Sequence, residues 1–575
     1  MSVRPEPVEG RAARRPGFDR LSPNGIVILF ILFAALVLGL GIDAATGLTG
    51  KDEYLLGLRI PLEMMQGDHW WVPFIDGAPR LKKPPLLYWL GRASFETFGP
   101  SLLAARGITV AFALLLLGCT AWLGKRFGAN WQSGLLAAGV LLGISGLASE
   151  SRRLMLDVPV AALSVAAFCC YLRWLDSVRT EPVEARPLLR RTALAPSPFD
   201  RLRANGFLAL TAVCLSAALL TKGPIALVAC GGGLLALWIV EQDSRRIPFR
   251  HWLAHLTTLI LALALPAIWF LYVRRHYGAE LAAATADEFE ARQLSHLSID
   301  PAIGILTLAL PWSFVALHAL WTQRRQPAVR FLGLWLALTL LPFFFIRSFE
   351  RYLIGSLPAI ALLASIGLQH SVPAWTRRTG SLLPALLAAA LAALLWRWQL
   401  PGWPWLLVTL CAFVFIWWRA TASAPALIVS AAALWAAGWG LAFPGLGVNA
   451  LPASLVDLAR NRPVILFAGP QPALLPMRAG RPLRQTSRLD SLDPTQLAAG
   501  TAITLRAEDQ PLLDAQLAAL GRNSRLLSEY SALTSSGSGI RFARAGATRA
   551  DWEASWRERS PQPLMSHVRV LELLP

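Results

Sequence analysis

Charged residues are scarce in this chain. Asp, Glu, Lys and Arg together make up 15% of its 575 residues, whereas hydrophobic residues make up 55%. A soluble globular protein usually carries about 25% charged residues, so the composition excludes an ordinary soluble domain. The mean hydropathy of +0.48 points the same way. The sequence therefore predicts a polytopic membrane protein.

Cysteine is also rare. The six cysteines all fall inside apolar runs, and none has the spacing of a metal site or a disulfide framework. This excludes a disulfide-stapled scaffold and favours small core residues.

Acidic residues are fewer than basic ones, 35 against 54, which gives a net charge of +19. The arginines are spread over many short loops and form no continuous patch. This pattern is typical of cytoplasmic loops in membrane proteins, and we expect no nucleic-acid partner.

The apolar runs lack Asp, Glu, Lys and Arg near their centres. Ion-coupled transporters typically need such groups near the middle of the bilayer, so this absence weighs against a transporter.

Apolar runs of membrane-spanning length recur almost to Gly445. They predict an all-α polytopic membrane domain over 26–455, with about thirteen transmembrane helices. The predicted spans are 26–44, 102–123, 131–149, 156–175, 207–222, 223–240, 251–273, 302–321, 328–346, 351–369, 380–396, 403–419 and 424–443.

The basic loops set the predicted orientation. If the N-terminus is cytoplasmic, pairs such as Lys125-Arg126 and Arg377-Arg378 fall on the cytoplasmic side. The polar loop 43–101 then lies on the opposite side, and an odd number of spans puts the C-terminal region there too. Residues 1–25 are rich in Arg and Pro and are predicted to be a disordered cytoplasmic segment.

The composition changes after about residue 455. Runs 463–468 and 502–506 have the pattern of short strands, whereas 512–520 and 550–559 have that of helices. The sequence predicts a small α/β domain over 456–575, in which we find no catalytic motif.

Two acidic sites stand at the predicted membrane surface. Asp52 and Glu53 follow the first span, where a carboxylate can orient or deprotonate a hydroxyl or hold a metal; simple solvation of the loop is the alternative. Asp157 precedes Pro159 at a span entrance, where it is either an N-cap or a second active-site carboxylate.

Several cations are predicted on the same face. Lys82 and Lys83 precede two prolines that stiffen the backbone, and they either meet lipid head groups or bind a phosphate carried on a lipid. Lys222, Arg292 and Arg351 come from other segments, and each alone would be a snorkelling side chain. Together with the two acidic sites, they predict a site for an anionic, lipid-linked substrate.

With these residues in order, the chain resembles the bacterial lipid-carrier-dependent glycosyltransferases of the GT-C class over roughly 26–370. It looks most like the aminoarabinose transferases that modify lipid A, which are relatives of the protein O-mannosyltransferases. The motifs that carry the resemblance are Asp52-Glu53, Gly67-Asp68, Val72-Pro73, Lys83-Pro84-Pro85-Leu86, Tyr88-Trp89, Arg106, Leu156-Asp157 with Pro159, Thr221-Lys222-Gly223, Leu310-Pro311-Trp312 and Arg351-Tyr352.

The resemblance implies roles for individual residues. Asp52 would be the catalytic carboxylate, with Asp157 and Glu53 beside it. Lys83 would lie near the carrier phosphate, and Arg292 and Tyr352 match positions associated with the phosphate or its sugar. We predict that Arg351, Lys222 and Tyr88 complete the donor site. The resemblance also implies a multi-pass protein of the bacterial inner membrane with a periplasmic site. No metal or other cofactor is expected, although the carboxylates leave a divalent metal open.

The chain departs from this family at two positions. It has Lys82 where the aminoarabinose transferases usually have a glutamate, and it lacks the histidine expected shortly before Arg292. A carboxylate at position 82 could contact a sugar amine, so its loss argues against an amino-sugar donor.

The resemblance implies an inverting glycosyltransferase that moves a sugar from a polyprenyl-phosphate carrier to lipid A or another envelope acceptor. The alternatives are an enzyme similar to the protein O-mannosyltransferases and, from another class, a lipid-linked sugar flippase. A flippase should tolerate the neutral variant Asp52→Asn, whereas a transferase should not.

Overall fold

A computed structural model describes residues 23–44, 53–128, 130–178, 198–241, 251–292, 297–370, 372–468, 474–534 and 542–574. Two predicted features fall outside these ranges. One is Asp52, and the other is nearly all of the N-terminal segment 1–25, which is predicted to be disordered.

Helices dominate the part of the chain up to residue 445. Their bounds are α1 Pro23–Gly39, α2 Arg59–Gln66, α3 Leu86–Phe98, α4 Leu102–Gly128, α5 Trp131–Leu142, α6 Ser145–Glu150, α7 Asp157–Val178, α8 Pro198–Lys222, α9 Ala226–Val240, α10 Trp252–His276, α11 Gly278–Arg292, α12 Asp300–Leu308, α13 Ser313–Thr322, α14 Pro327–Leu340, α15 Leu357–Leu368, α16 Ala374–Arg397, α17 Trp403–Trp418, α18 Ala424–Ala437 and α19 Phe443–Gly445.

Eight helical runs among the described residues are long and apolar enough to cross a membrane, or nine if α12 and α13 count as one broken span. Three shorter apolar helices, Gly25–Gly39, α5 and α17, add to these. The predicted apolar runs all coincide with helical structure, while the count of thirteen crossings stays a prediction.

The longest run, Asn205–Val240, changes direction within its length. A 3₁₀ turn at Gly223–Ile225 separates α8 from α9, and Gly223 has φ +66°, a conformation that glycine adopts at little cost. Lys222, at the end of α8, contacts Asp157 at the start of α7. Ser164 of α7 donates a hydrogen bond to the Ala226 carbonyl at the start of α9, and Gly233 lies beside Phe168, so α9 runs back along α7. That 207–222 and 223–240 are two separate crossings stays a prediction.

The predicted span 302–321 consists of two short helices and not of one. Helices α12 and α13 meet at an angle of 109°. Pro311 lies at the break, and proline has no N–H to continue the helical hydrogen bonds. The break puts the Leu310-Pro311-Trp312 motif at a bend between two short helices.

The first loop folds as a compact unit against the membrane helices. A π-helical turn, Tyr54–Leu58, leads into α2, and a two-stranded antiparallel hairpin of β1 Phe74–Ile75 and β2 Ala78–Pro79 precedes α3. Gly57 sits where an added Cβ would lie 2.0 Å from the Leu154 carbonyl oxygen. Glycine is therefore needed there for the loop to approach the segment that leads to Asp157.

The C-terminal region contains a five-stranded mixed sheet in the order β4-β3-β5-β7-β6. Its strands are β3 Val464–Phe467, β4 Arg484–Thr486, β5 Ala502–Arg506, β6 Ser524–Ala532 and β7 Ser566–Leu573, and its helices are α20 Ala453–Asn461, α21 Leu475–Ala479, α22 Gln510–Ala519 and α23 Arg549–Glu558. β3 is parallel to β4 and β5, and β7 is antiparallel to β5 and β6. The predicted strands and helices occur, while independence as a domain stays a prediction.

This region packs on the first loop. Arg484 forms an ion pair with Asp76 at 2.8 Å, and Leu474 and Met477 join the apolar cluster that contains Tyr54. The sheet and the first loop therefore lie on the same side of the helical bundle, as the predicted orientation requires.

Candidate active site

Glu53 anchors the start of the first loop to α4. Its two carboxylate oxygens accept hydrogen bonds from Arg106, each 2.9 Å long, and one of them also accepts the Leu154 backbone N–H at 2.9 Å. Burial raises the pKa of Glu53, but the charge and hydrogen bonds of Arg106 lower it more, so the net pKa lies below its usual value of 4.5. With its oxygens occupied, Glu53 is suited to hold the loop rather than to accept a proton.

Asp157 lies between two cations at the start of α7. Lys222 forms an ion pair with one carboxylate oxygen, and Arg351 Nε lies 3.6 Å from the other. The three side chains are at most 9% exposed. Burial of charge is costly unless it is paired, which explains why these three groups lie together.

Tyr352 links this trio to a further cation. Lys222 Nζ lies 3.5 Å from the centre of the Tyr352 ring, and Arg292 Nη1 donates a hydrogen bond of 2.9 Å to the Tyr352 hydroxyl. A cation over an aromatic face is attracted by the ring quadrupole, and the hydroxyl fixes the guanidinium of Arg292.

Lys83 completes the network from the first loop. Its ammonium donates to Glu288 at 2.6 Å, and Arg292 Nε donates to the same Glu288 oxygen at 2.9 Å. Burial lowers the pKa of Lys83 and outweighs the opposite effect of Glu288. The neighbouring Lys82 pairs with Asp287 at 2.9 Å. The aminoarabinose transferases usually have a glutamate at this position, whereas this chain has Lys82, which pairs with Asp287 on α11.

A narrow cavity opens beneath the network between α7, α9 and α14. Asp157, Lys222 and Tyr352 line the end of the cavity that lies next to the network. The deeper walls are mostly apolar and are formed by Val160, Ala161, Ser164, Ile225, Val228, Ala229, Thr339, Phe343 and Gly355. The volume of this cavity is about 20 Å³, which is room for a water-sized group and not for a hydrocarbon tail.

Glu150 was missed by the sequence reasoning. It ends α6, accepts a hydrogen bond of 3.2 Å from Arg153, and its buried Oε2 has no hydrogen-bond partner among the described residues. Burial raises its pKa, and the charge of Asp157 adds to the increase. The sequence signal that could have identified Glu150 is its position close to Arg152 and Arg153 at the end of a predicted span.

Tyr88 does not join the network. It is completely buried in the core of the first loop with Ile60 and Met64. Burial raises its pKa to about 12. A donor contact for Tyr88 stays a prediction that this burial does not favour.

Six of the predicted site residues meet in one network; they are Lys83, Asp157, Lys222, Arg292, Arg351 and Tyr352. Glu53 and Tyr88 lie outside it. Asp52 lies outside the described residues. Within the part of the chain that the structure describes, no group of three or more His, Cys, Asp or Glu side chains is arranged to hold a metal ion.

The chain is similar in sequence to known glycosyltransferases. The model of the dolichyl-phosphate-mannose-protein mannosyltransferase family matches residues 54–277. The undecaprenyl phosphate-alpha-4-amino-4-deoxy-L-arabinose arabinosyl transferase of Shewanella sediminis is 27% identical over 413 residues, which are 67% of this chain and 69% of that protein. The protein of the same name from Pectobacterium carotovorum is 25% identical over 529 residues, 87% of this chain and 86% of that one.

A solved structure shares the fold. The crystal structure of ArnT from Cupriavidus metallidurans bound to undecaprenyl phosphate superimposes with a TM-score of 0.64 at 17% sequence identity, covering 95% of this chain and 98% of that one. The comparisons confirm the predicted resemblance to lipid-carrier-dependent glycosyltransferases, and together with the apolar helices they indicate a multi-pass inner-membrane protein.

Proposed function

We propose that this GT-C glycosyltransferase moves a sugar from a polyprenyl-phosphate carrier to lipid A or another acceptor of the cell envelope, on the periplasmic face of the membrane. The observation that carries the proposal is the network of Lys83, Arg292, Tyr352, Lys222 and Arg351, which gathers four cations at one end of the membrane helices. The anionic head of a polyprenyl phosphate is a ligand for such a cluster, and its hydrocarbon tail would lie along the apolar helices in the bilayer.

Catalysis in this proposal begins with the leaving group. Lys83 and Arg292 contact the carrier phosphate and stabilise the charge that develops on it as the bond to the sugar breaks. A phosphate leaves as an anion, so no general acid is needed. The acceptor hydroxyl attacks in line from the opposite side of the sugar and inverts its anomeric centre.

Two carboxylates have different proposed roles. Asp52 orients the acceptor hydroxyl and takes its proton. Asp157 holds Lys222 and Arg351 in position, because its two oxygens already face these cations. Glu53 supports both by fixing the loop that carries Asp52.

Two structural features support a periplasmic site. The first loop and the C-terminal sheet share contacts, including Arg484 with Asp76 at 2.8 Å. Lys125 and Arg126 lie at the far end of α4 from Arg106, on the side where basic loops are expected. We therefore place the N-terminus in the cytoplasm and the C-terminal region in the periplasm.

The donor sugar is proposed to be recognised without a carboxylate at position 82. Lys82 pairs with Asp287 there, at 2.9 Å, and offers no acceptor for a sugar amine. We therefore favour a neutral donor sugar. Its carrier would be undecaprenyl phosphate, the lipid that the names of the relatives contain.

Mass spectrometry of lipid A and total glycolipids tests the proposal. Cells that lack the protein would be restored with wild type, with Asp52→Asn or with Asp43→Asn, an exposed carboxylate of the same loop. A sugar mass that returns with wild type and Asp43→Asn, but not with Asp52→Asn, supports transfer to a lipid. Full restoration by Asp52→Asn contradicts transfer chemistry and favours a flippase. An unchanged lipid profile directs the search to secreted proteins that lack a glycan.

A further inference from the structure

Glu288 occupies the place between the two cations that would hold the carrier phosphate. A single oxygen, Oε1, accepts from Lys83 Nζ at 2.6 Å and from Arg292 Nε at 2.9 Å. Two cations that converge on one oxygen form an anion-binding arrangement, and here the protein supplies the anion itself.

The Glu288 carboxylate is charged in this position. Burial raises its pKa, but the hydrogen bonds from Lys83 and Arg292 lower it more, so the net pKa lies below the usual value of 4.5. A phosphate that approached the same cations would therefore meet a second negative charge at close range. Like charges at such a distance repel, and the two anions cannot both keep their best contacts with Lys83 and Arg292.

The helix that carries Glu288 is suited to move. None of the side chains of α11 is buried. Its polar ties to the first loop are the Lys82–Asp287 and Lys83–Glu288 ion pairs, at 2.9 and 2.6 Å. The Lys82–Asp287 pair is 40% and 59% exposed and contributes little free energy, whereas Lys83 is 18% exposed and gives up Glu288 only for another anion. Leu281 and Ala284 keep the first half of α11 packed on the first loop, so the exchange concerns the end that carries Glu288.

We propose that Glu288 is an internal competitor for the carrier phosphate. Donor binding exchanges the Glu288 carboxylate for a phosphate oxygen on Lys83 and Arg292 and releases this end of α11 from the first loop. When the used carrier leaves, Glu288 returns and keeps the cations paired. This inference rests on the proposed function, because it assigns Lys83 and Arg292 to the phosphate.

The neighbouring ion pair provides a matched control. Asp287 and Glu288 are consecutive acids on α11, and each pairs with one of two consecutive lysines. Asp287 and Lys82 are 59% and 40% exposed, and neither contacts Arg292 in the pairs described. Neutralising Asp287 thus removes one tie between α11 and the first loop without freeing the phosphate cations.

The experiment measures the affinity of the purified full chain in nanodiscs for undecaprenyl phosphate. We expect Glu288→Gln to bind about tenfold more tightly than wild type, which corresponds to about 1.4 kcal/mol, and Asp287→Asn to bind as wild type does. A merely structural role for Glu288 predicts weaker binding on its removal, so a gain in affinity separates the two. Equal or weaker binding by Glu288→Gln overturns the inference, as does an equal gain in Asp287→Asn.

A third variant separates this inference from the proposed function. If wild type binds the lipid phosphate and Lys83→Ala loses that binding while Glu288→Gln gains nothing, only the competitor role fails. If wild type shows no binding, or Lys83→Ala binds normally, the assignment of the phosphate site itself fails.

Discussion

Arg106 and Glu53 form a bidentate ion pair across the join between α4 and the first loop. Both hydrogen bonds are 2.9 Å long, and the two side chains are 3% and 0% exposed. Arg106 also donates to the carbonyl oxygens of Ile42 and Ala44 at 2.8 and 2.9 Å. One guanidinium therefore holds both the residues that enter the loop and the carboxylate next to Asp52.

Glu53→Gln should destabilise the protein strongly. The substitution leaves Arg106 buried without its counter-charge, and removing one partner of a buried pair costs about 3–5 kcal/mol. Thermal unfolding in detergent measures the loss. The control is Glu553→Gln, which removes the pair with Arg549 on an exposed helix surface, where an ion pair contributes about 0–1 kcal/mol. Similar losses in both variants would contradict a special role for Glu53.

The same pair predicts a dependence of stability on pH. The pKa of Glu53 is lower in the folded protein than its usual value of 4.5, so its contribution is complete above that value and is lost as the pH falls towards the folded pKa. The difference in unfolding temperature between wild type and Glu53→Gln should therefore shrink below about pH 4.5. A difference that stays constant from pH 7 to pH 3.5 would show that the Glu53 charge adds nothing.

Lys83→Ala should weaken donor binding. A hydrogen bond to a charged group contributes about 1.5–3 kcal/mol, which corresponds to an affinity about 10- to 100-fold lower. The control is Lys82→Ala, because Lys82 is 40% exposed and pairs with Asp287 rather than with the site. Titration with undecaprenyl phosphate distinguishes the two, and equal losses would mean that the lysines act only through general charge.

Much of the candidate site could be predicted because its residues lie at helix ends. Hydropathy and loop charge place the ends of α7 and α8 on one face of the membrane, which brings Asp157 and Lys222 to the same level before any contact is known. Arg351 and Tyr352 follow from the same reasoning. The order of the motifs supplied the rest.

Three features could not be predicted, because each depends on how segments face one another in space and not on local composition. Hydropathy reports composition and carries no information on the direction of a helix. It therefore predicts one span over 302–321 and does not reveal the bend between α12 and α13. Tyr88 follows a recognisable motif, but a motif does not say which face of α3 packs on Ile60 and Met64. Glu288 lies on an exposed helix rich in acids, and only its contact with Lys83, 205 positions away, distinguishes it from a solvated residue.

Tyr352 offers a test of two separate contacts. Tyr352→Phe removes the hydroxyl that accepts from Arg292 at 2.9 Å, and it keeps the ring 3.5 Å from Lys222 Nζ. We expect a modest loss, up to about tenfold in donor KM, from Tyr352→Phe. Tyr352→Leu also removes the cation–π contact and should reduce kcat as well. Steady-state kinetics with a purified donor measures both, and equal effects would leave the ring without a role.

Asp157 and Lys222 allow stability and activity to be separated. Both side chains are at most 5% exposed, so Asp157→Asn alone leaves a buried ammonium without its carboxylate and should cost about 3–5 kcal/mol. The double variant Asp157→Asn with Lys222→Met removes the charges of both partners, and Arg351, 3.6 Å from Asp157, still loses its carboxylate. The double variant should therefore recover part of the lost unfolding temperature, since the two sites are coupled. It should not recover turnover, because Lys222 then no longer contributes a cation beside Tyr352. Unfolding temperature and donor-dependent turnover are measured on the same preparations, and recovered turnover in the double variant would place the pair outside the chemistry.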